Sequence, residues 1–416
     1  MNNQNYLTGL LILLLSISVV GQNNDGVFRT EFYAHLPFWE SPYQPFKLAS
    51  PITQEIANKR IHIEVDYDVH NRVIASHIKI GKHYKEFEGF FGNIYINAPL
   101  TIVRYEPKRE IHSFYNSFGN QISVQGNVYT KVYYKDDYGR NIKLTFLDSK
   151  GKEIVDQIGV KSYNWAHQND GSIIEERLNR KGNIVPLRGY FDLGRIRMAF
   201  DNQGYFRTLQ NIDENGNIIN TKNGAAIFQY YYDLQGRFDR WEVYDKDGKK
   251  TKGPSNTAGE RNTYYKYELQ DIIFFDTKGG PATHWSGAQR WHFDVDEYGN
   301  FTSLEFQDLE KNPMNANNEY SKYAWNWSED GRYMTDEAYF DKEGKATVHK
   351  QLAIHKIVYE RNDKGLIINI KYLDINENTA NRIDGIAFVK LTYDKNNIEL
   401  ERTYYDKDNN KVQRKK

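Results

Sequence analysis

Apolar and polar residues alternate in short stretches along this chain, and each stretch ends at a turn that recurs about every 32 residues. One series of turns closes at Gly139, Gly171, Gly204, Gly236, Gly299, Gly331, Gly365 and Asn397. Six residues before each stands a large side chain: Tyr133, Trp165, Met198, Tyr230, Phe293, Trp325, Tyr359 and Leu391. Two residues further on come Phe200, Tyr232, Trp327 and Tyr393, and two residues earlier Tyr163, Phe228, Trp291 and Val389. The positions between them, such as Asn164, Gln229, His292 and Asn326, are mostly polar. A period of two predicts a strand with one buried face. After the turn the alternation resumes, with Leu144 and Phe146, Trp241 and Val243, Leu304 and Phe306, Ile370 and Tyr372. No stretch carries a convincing helical period. Each unit therefore predicts a hairpin, a short third stretch and a linking loop such as Thr221–Gly224.

A second series of turns runs in step with the first and closes at Gly119, Gly151, Gly182, Gly216, Gly248, Gly279, Lys311, Gly344, Glu377 and Asn409. Two series in register over most of the chain are the mark of a repeat architecture. Asp or Asn at the first position of a type I turn accepts hydrogen bonds from the backbone two residues on, and Gly suits the left-handed fourth position that closes a bulged hairpin. Asn397 and Asn409 tolerate that conformation, whereas Lys311 and Glu377 do not, so looser hairpins are expected there. A lone hairpin is marginal in water, but stacked units bury a continuous aromatic ladder. The fold class expected is all-β: tandem hairpin repeats forming an elongated, twisted or rolled antiparallel sheet, a solenoid-like array of about ten units over residues 101–416.

Residues 22–100 are less regular. Ile61, Ile63, Val65 and Tyr67 alternate with polar residues before the turn Asp68–Asn71, which predicts one degenerate hairpin in a capping region. The segment Phe38–Phe46, rich in Pro and aromatics, is expected to pack across the open first edge. Leu7–Val20 is an apolar run of 14 residues, short for a membrane span, followed by small residues, so residues 1–21 read as a signal peptide. No Lys or Arg precedes the run, and no Cys follows it to carry a lipid anchor. The expected location is periplasmic, cell-surface or secreted, with no transmembrane segment.

Composition narrows the partners. With 55 basic and 55 acidic residues the formal charge is zero, which supplies no long-range attraction to nucleic acid. Cysteine is absent, so no disulfide framework or thiolate metal site exists. The 32 tyrosines suit half-buried strands.

Tyr232-Asp233-Leu234-Gln235-Gly236-Arg237, followed by Tyr244-Asp245-Lys246-Asp247-Gly248-Lys249, resembles the tyrosine-aspartate repeats of bacterial Rhs-type proteins. Phe340-Asp341-Lys342-Glu343-Gly344-Lys345 is also similar to bacterial WG and MORN-variant repeats. The likeness covers residues 101–416 as a pattern, with a longer period than the Rhs repeats and no toxin-processing core. It implies antiparallel hairpin arrays in exported bacterial proteins, used as shells, scaffolds or binding surfaces. It transfers no catalytic residue.

Few residues suggest chemistry. Tyr323, Trp325 and Trp327 share one strand face and could stack on sugar rings, although their column is the buried one. The acidic turn at Asp245 lacks the Gly and Glu positions of a calcium loop, and the histidines show no zinc spacing, so neither metal nor cofactor is expected. The pattern breaks at residues 253–291, where one first-series turn is missing and longer loops appear. Trp285 with Arg290 and Glu260 could clamp a polar ring there, with His284 and Arg261 as neighbours; the plain alternative is a tolerated indel. The function expected is an exported, non-catalytic scaffold for a glycan or an envelope protein. The alternatives are a carbohydrate-active enzyme with its site near residues 253–291, or a structural spacer or shell.

Overall fold

A computed structural model of the chain describes residues 26–35, 40–86, 88, 98–187 and 191–413. The expected export signal over residues 1–21 lies outside them, as do Phe38 and Trp39. The protein is all-β, with 27 strands in one antiparallel sheet and a single one-turn helix, Gln54–Ala57, among the described residues. From Leu100–Glu106 onward each hairpin pairs with the next, so the array is a linear, elongated meander. The two end strands, Ala49–Ile52 and Lys411–Val412, do not pair with each other, and the sheet stays open rather than closing into a barrel.

The turn chemistry accounts for the repeat. Asp233 Oδ1 accepts hydrogen bonds from the backbone N–H groups of Gln235 and Arg237, both at 2.9 Å, and Gly236 takes a φ of 76°. The register slips between Tyr231 and Tyr232, which is the bulge that a left-handed closing residue creates. Similar bonds recur at Asp136, Asp201, Asp296, Asn362 and Asp394. Lys311 and Glu377 depart from expectation: both adopt the left-handed conformation, at φ 71° and 60°. The backbone bonds of the flanking strands outweigh the local strain and impose the same turn on these residues.

The aromatic ladder is present. Tyr133, Trp165, Met198, Tyr230, Phe293, Trp325 and Leu391 are buried in one column, and Tyr359 is half-buried with its hydroxyl donating to Glu337 at 2.8 Å. Burying one such side chain is worth roughly 1.5–3 kcal/mol, so the column is a principal source of stability.

A third turn recurs among the described residues and ties the array together. Left-handed residues recur at Gly159, Gly224, Asn256, Gly287, Glu319, Ala353 and Gly385, each followed by a buried residue such as Val160, Ala225, Thr257 or Ala288. Successive third turns are hydrogen-bonded through their backbones: Gln157 N–H donates to Gln125, Trp285 to Ser255, Asn317 to Ser286, Lys350 to Asn318 and Ile383 to Leu352.

The N-terminal strands continue the array, Val73–Ile80 pairing with Leu100–Glu106. The expected hairpin forms from Ile61–Tyr67 and Val73–Ile80, and Arg29–His35 adds to its edge. The segment after Trp39 does not cover an edge as expected. It runs across the interior of the array instead: Tyr43 packs on Trp165 at 5.4 Å, Phe46 on His112 at 5.1 Å, and Tyr133 donates to the Pro42 carbonyl at 3.0 Å. Curvature of the twisted sheet leaves a concave side, and this Pro- and aromatic-rich stretch is the apolar filling available for it.

Candidate functional site

The apolar core of the array falls into three clusters. Leu352 and Tyr359 bridge the second and third, but no apolar residue among the described ones bridges the first and second, between Val243 and Ile272. The intervening hairpin, Gly259–Tyr265 and Glu268–Phe275, has a shortened turn with Lys266 at φ 53°. Its inward positions carry Glu260, Asn262 and Tyr264; Glu260 is directly opposed to Trp241 on one side and Phe274 on the other. At the same column positions neighbouring units place Phe228 and Tyr230, or Trp291 and Phe293. Gly259 permits the close approach of the strands there, because a Cβ would sit 2.2 Å from the Trp241 carbonyl oxygen.

A cavity of about 240 Å³ opens at this interruption. Glu260, Asn262, Tyr264, Glu268, Asn300 and Trp327 come to it from the array, and His35, Arg60, Lys85 and Glu88 from the N-terminal segment. The shortened turn is the place where that segment docks: His35 Nε2 donates to the Tyr267 carbonyl, Arg60 pairs with Glu268 at 2.5 Å, and its guanidinium lies 4.8 Å above the Tyr267 ring.

The lining is both charged and aromatic. Arg237 pairs with Asp233 at 2.6 Å and lies 4.4 Å from the Tyr264 ring centre. Glu88 pairs with Arg361 at 2.7 Å and accepts the Met334 N–H at 2.8 Å. Lys85 donates to the Gly331 carbonyl at 3.3 Å and sits 3.8 Å over the Trp327 ring. Burial pushes Glu260 up to about 7, Lys85 down to about 8 and His35 down to about 4, because each charged form loses its water. Such a chamber can hold a small ligand that has an apolar face and several polar groups.

The five residues singled out in the sequence occupy three places. Glu260 lines the cavity. Arg261 and Arg290 lie on the opposite face of the sheet, since both are in register with Ile273 while Glu260 is in register with Phe274. Arg290 is bound to Asp271, with Nε 2.8 Å away. His284 and Trp285 meet at a third turn, with ring centres 4.9 Å apart. His284 is buried against Phe274 and pushed down to about 4 by that burial, whereas Trp285 is 61% exposed. The structure therefore does not bring Trp285, Arg290 and Glu260 together.

Asn262, Glu268, Lys85 and Asn300 were not foreseen as site residues. A signal for two of them was legible: a step of 32 from Phe228, Tyr230 and Gly236 lands on Glu260, Asn262 and Glu268. Asn300 directly follows the turn residue Gly299, a periodic position whose residue type varies, whereas Lys85 enters through packing of the N-terminal segment, which leaves no periodic trace.

One group of side chains with metal-type ligand atoms occurs among the described residues: Glu64, Asp66 and His77 on the N-terminal hairpin. Lys79 is bound to Glu64 at 2.6 Å, and His77 is held by Asp66 at 2.9 Å and Tyr84 at 3.0 Å. Among the described residues no helix is long and apolar enough to cross a membrane.

No protein-family model and no curated protein matches the chain. Solved structures that match the chain include TcdB2-TccC3-TEV, at 10% identity and a TM-score of 0.25, covering 84% of this chain and 20% of that one. The Tc holotoxin pore of Photorhabdus luminescens matches at 11% identity and a TM-score of 0.21, over 87% of this chain and 24% of that one. A porin-like protein from Bacteroides uniformis matches at 9% and 0.22, over 73% of this chain and 94% of its own. The chain thus spans a fifth to a quarter of the first two of these chains.

Proposed function

We propose that this chain is an exported, non-catalytic scaffold of the Rhs, WG or MORN-variant kind that binds a glycan in the cavity at its interrupted repeat. The observation that carries this reading is the presence of Glu260 and Asn262 where the two flanking units carry Phe228 and Tyr230, and Trp291 and Phe293, at the place where the cavity opens. Polar residues at such positions cost stability and are retained where a site needs them. Sugars suit the lining, since their hydroxyls match amide and carboxylate groups while their C–H faces match Trp327 and Tyr264.

An envelope protein is the second reading, favoured by the exposed Trp285 on the ridge of third turns. Glycan-array binding by the intact chain tests the first. Retained glycan that is lost on Asn262→Phe supports it, whereas binding that survives Asn262→Phe and disappears on Trp285→Ala moves the site to the ridge.

A further inference from the structure

Among the carboxylates, lysines and arginines that line the cavity, two have no ion-pair partner among the described residues: Glu260, whose burial favours its neutral form, and Lys85. Glu268 is paired with Arg60, Glu88 with Arg361, and Arg237 with Asp233. Lys85 is 1% exposed, yet its ammonium meets no carboxylate within ion-pair distance among the described residues. Its contacts are one long bond to the Gly331 carbonyl and the face of Trp327. An ammonium carries three donors, so Lys85 keeps donors to spare, and only the more distant Glu88 and Asp296 offset its buried charge.

Asn300, 2% exposed, stands beside it and binds the same Gly331 carbonyl. Its Nδ2 is committed to Asp296 at 2.8 Å and to Gly331 at 3.0 Å, which fixes the amide orientation and leaves Oδ1 without a donor among the described residues. Asn262 Oδ1 is likewise buried without a donor, on the strand that carries Glu260. Apolar wall between these groups comes from Leu269 and Ile272. At about 240 Å³ the space lies just below the roughly 300–1,000 Å³ of sites for drug-sized ligands, so it suits a single ring.

We infer that the glycan unit seated in this cavity is an acidic sugar, with its carboxylate on Lys85 and its hydroxyls donating to Asn300 and Asn262. The carboxylate supplies the missing counter-charge, the hydroxyls supply the missing donors, and the ring's C–H face covers the apolar wall. This assignment rests on the glycan reading above and narrows it to one chemical class. The competing account gives Lys85 a purely structural role, its ammonium satisfied by Trp327.

Titration of the intact chain with D-glucuronate, D-glucose and acetate at equal ionic strength, followed by calorimetry and melting temperature, separates the two. The expected result is saturable binding of glucuronate at least about tenfold tighter than glucose, with no shift from acetate. Lys85→Met should bring glucuronate down to the glucose level. The inference is overturned if glucose binds as tightly as glucuronate, if acetate reproduces the shift, or if wild type binds neither sugar. The wild-type comparison holds whether or not the variant folds. Neutral glycans retained on the array alongside equal binding of glucose and glucuronate would sink the acidic-sugar assignment and leave the scaffold reading standing.

Discussion

Glu260 stands directly across the sheet from Trp241, on the same inward face and one strand away. Carboxylates also oppose buried indoles at Trp165–Glu175 and Trp325–Glu337, where Trp165, Arg177 and Tyr359 donate to them; the Glu260–Trp241 pair instead lies at the break in the apolar core between Val243 and Ile272. Burial holds the Glu260 carboxyl up at about 7, above its ordinary value of 4.5. Between those two values the folded state holds the proton that the unfolded state has released. Stability therefore falls as pH rises from about 4.5 to 7. Glu260→Gln should remove that loss: the variant matches wild type near pH 4 and exceeds it by on the order of 1–3 kcal/mol above pH 7 in urea unfolding.

Lys85 behaves in the opposite sense. Its folded value of about 8 lies below the ordinary 10.5, so between these the unfolded chain binds more protons and stability rises with pH. In Lys85→Met this rise should be shallower than in wild type, and the variant should be the more stable protein near pH 7. Melting curves at pH 7, 8.5 and 10 measure the difference; parallel curves for the two proteins would show that Lys85 is not held down by burial.

These polar members of the column were partly legible from the sequence. The turn series, the bulged hairpins and the aromatic column follow from period-two alternation and turn chemistry, which are local and repeat at fixed spacing. Glu260, Asn262 and Glu268 fall on that spacing, and Glu260 was singled out only for its place in an irregular loop region. The course of residues 40–50 through the interior was not legible, because apolar and Pro-rich residues satisfy an edge and a concave face equally well. The pairing of Arg60 with Glu268 and of Arg361 with Glu88 joins residues more than 200 positions apart, and no periodic signal reports such contacts.

The strained turns offer a test of the repeat chemistry itself. Lys311 and Glu377 hold left-handed conformations at positions where most units use Gly. Each strained residue costs roughly 1–2 kcal/mol, partly offset by the lower entropy of the unfolded chain. Lys311→Gly and Glu377→Gly should each stabilise the protein by about 0.5–1 kcal/mol in urea unfolding, with no change in the slope.

Two tryptophans should differ sharply. Trp325 is buried in the aromatic column, and Trp325→Ala should cost about 3–5 kcal/mol. Trp285 is largely exposed on a turn, and Trp285→Ala should stay within about 0.5 kcal/mol of wild type. Equal losses for the two would contradict the assignment of inner and outer positions.

Restoring the column tests the central claim most directly. The double variant Glu260→Phe/Asn262→Tyr returns to this unit the residue types that Phe228 and Tyr230 provide in the preceding one. Glycan binding and unfolding are measured side by side for this variant and wild type. The account predicts a variant at least as stable as wild type that has lost the glycan. A variant that still binds with wild-type affinity would contradict it.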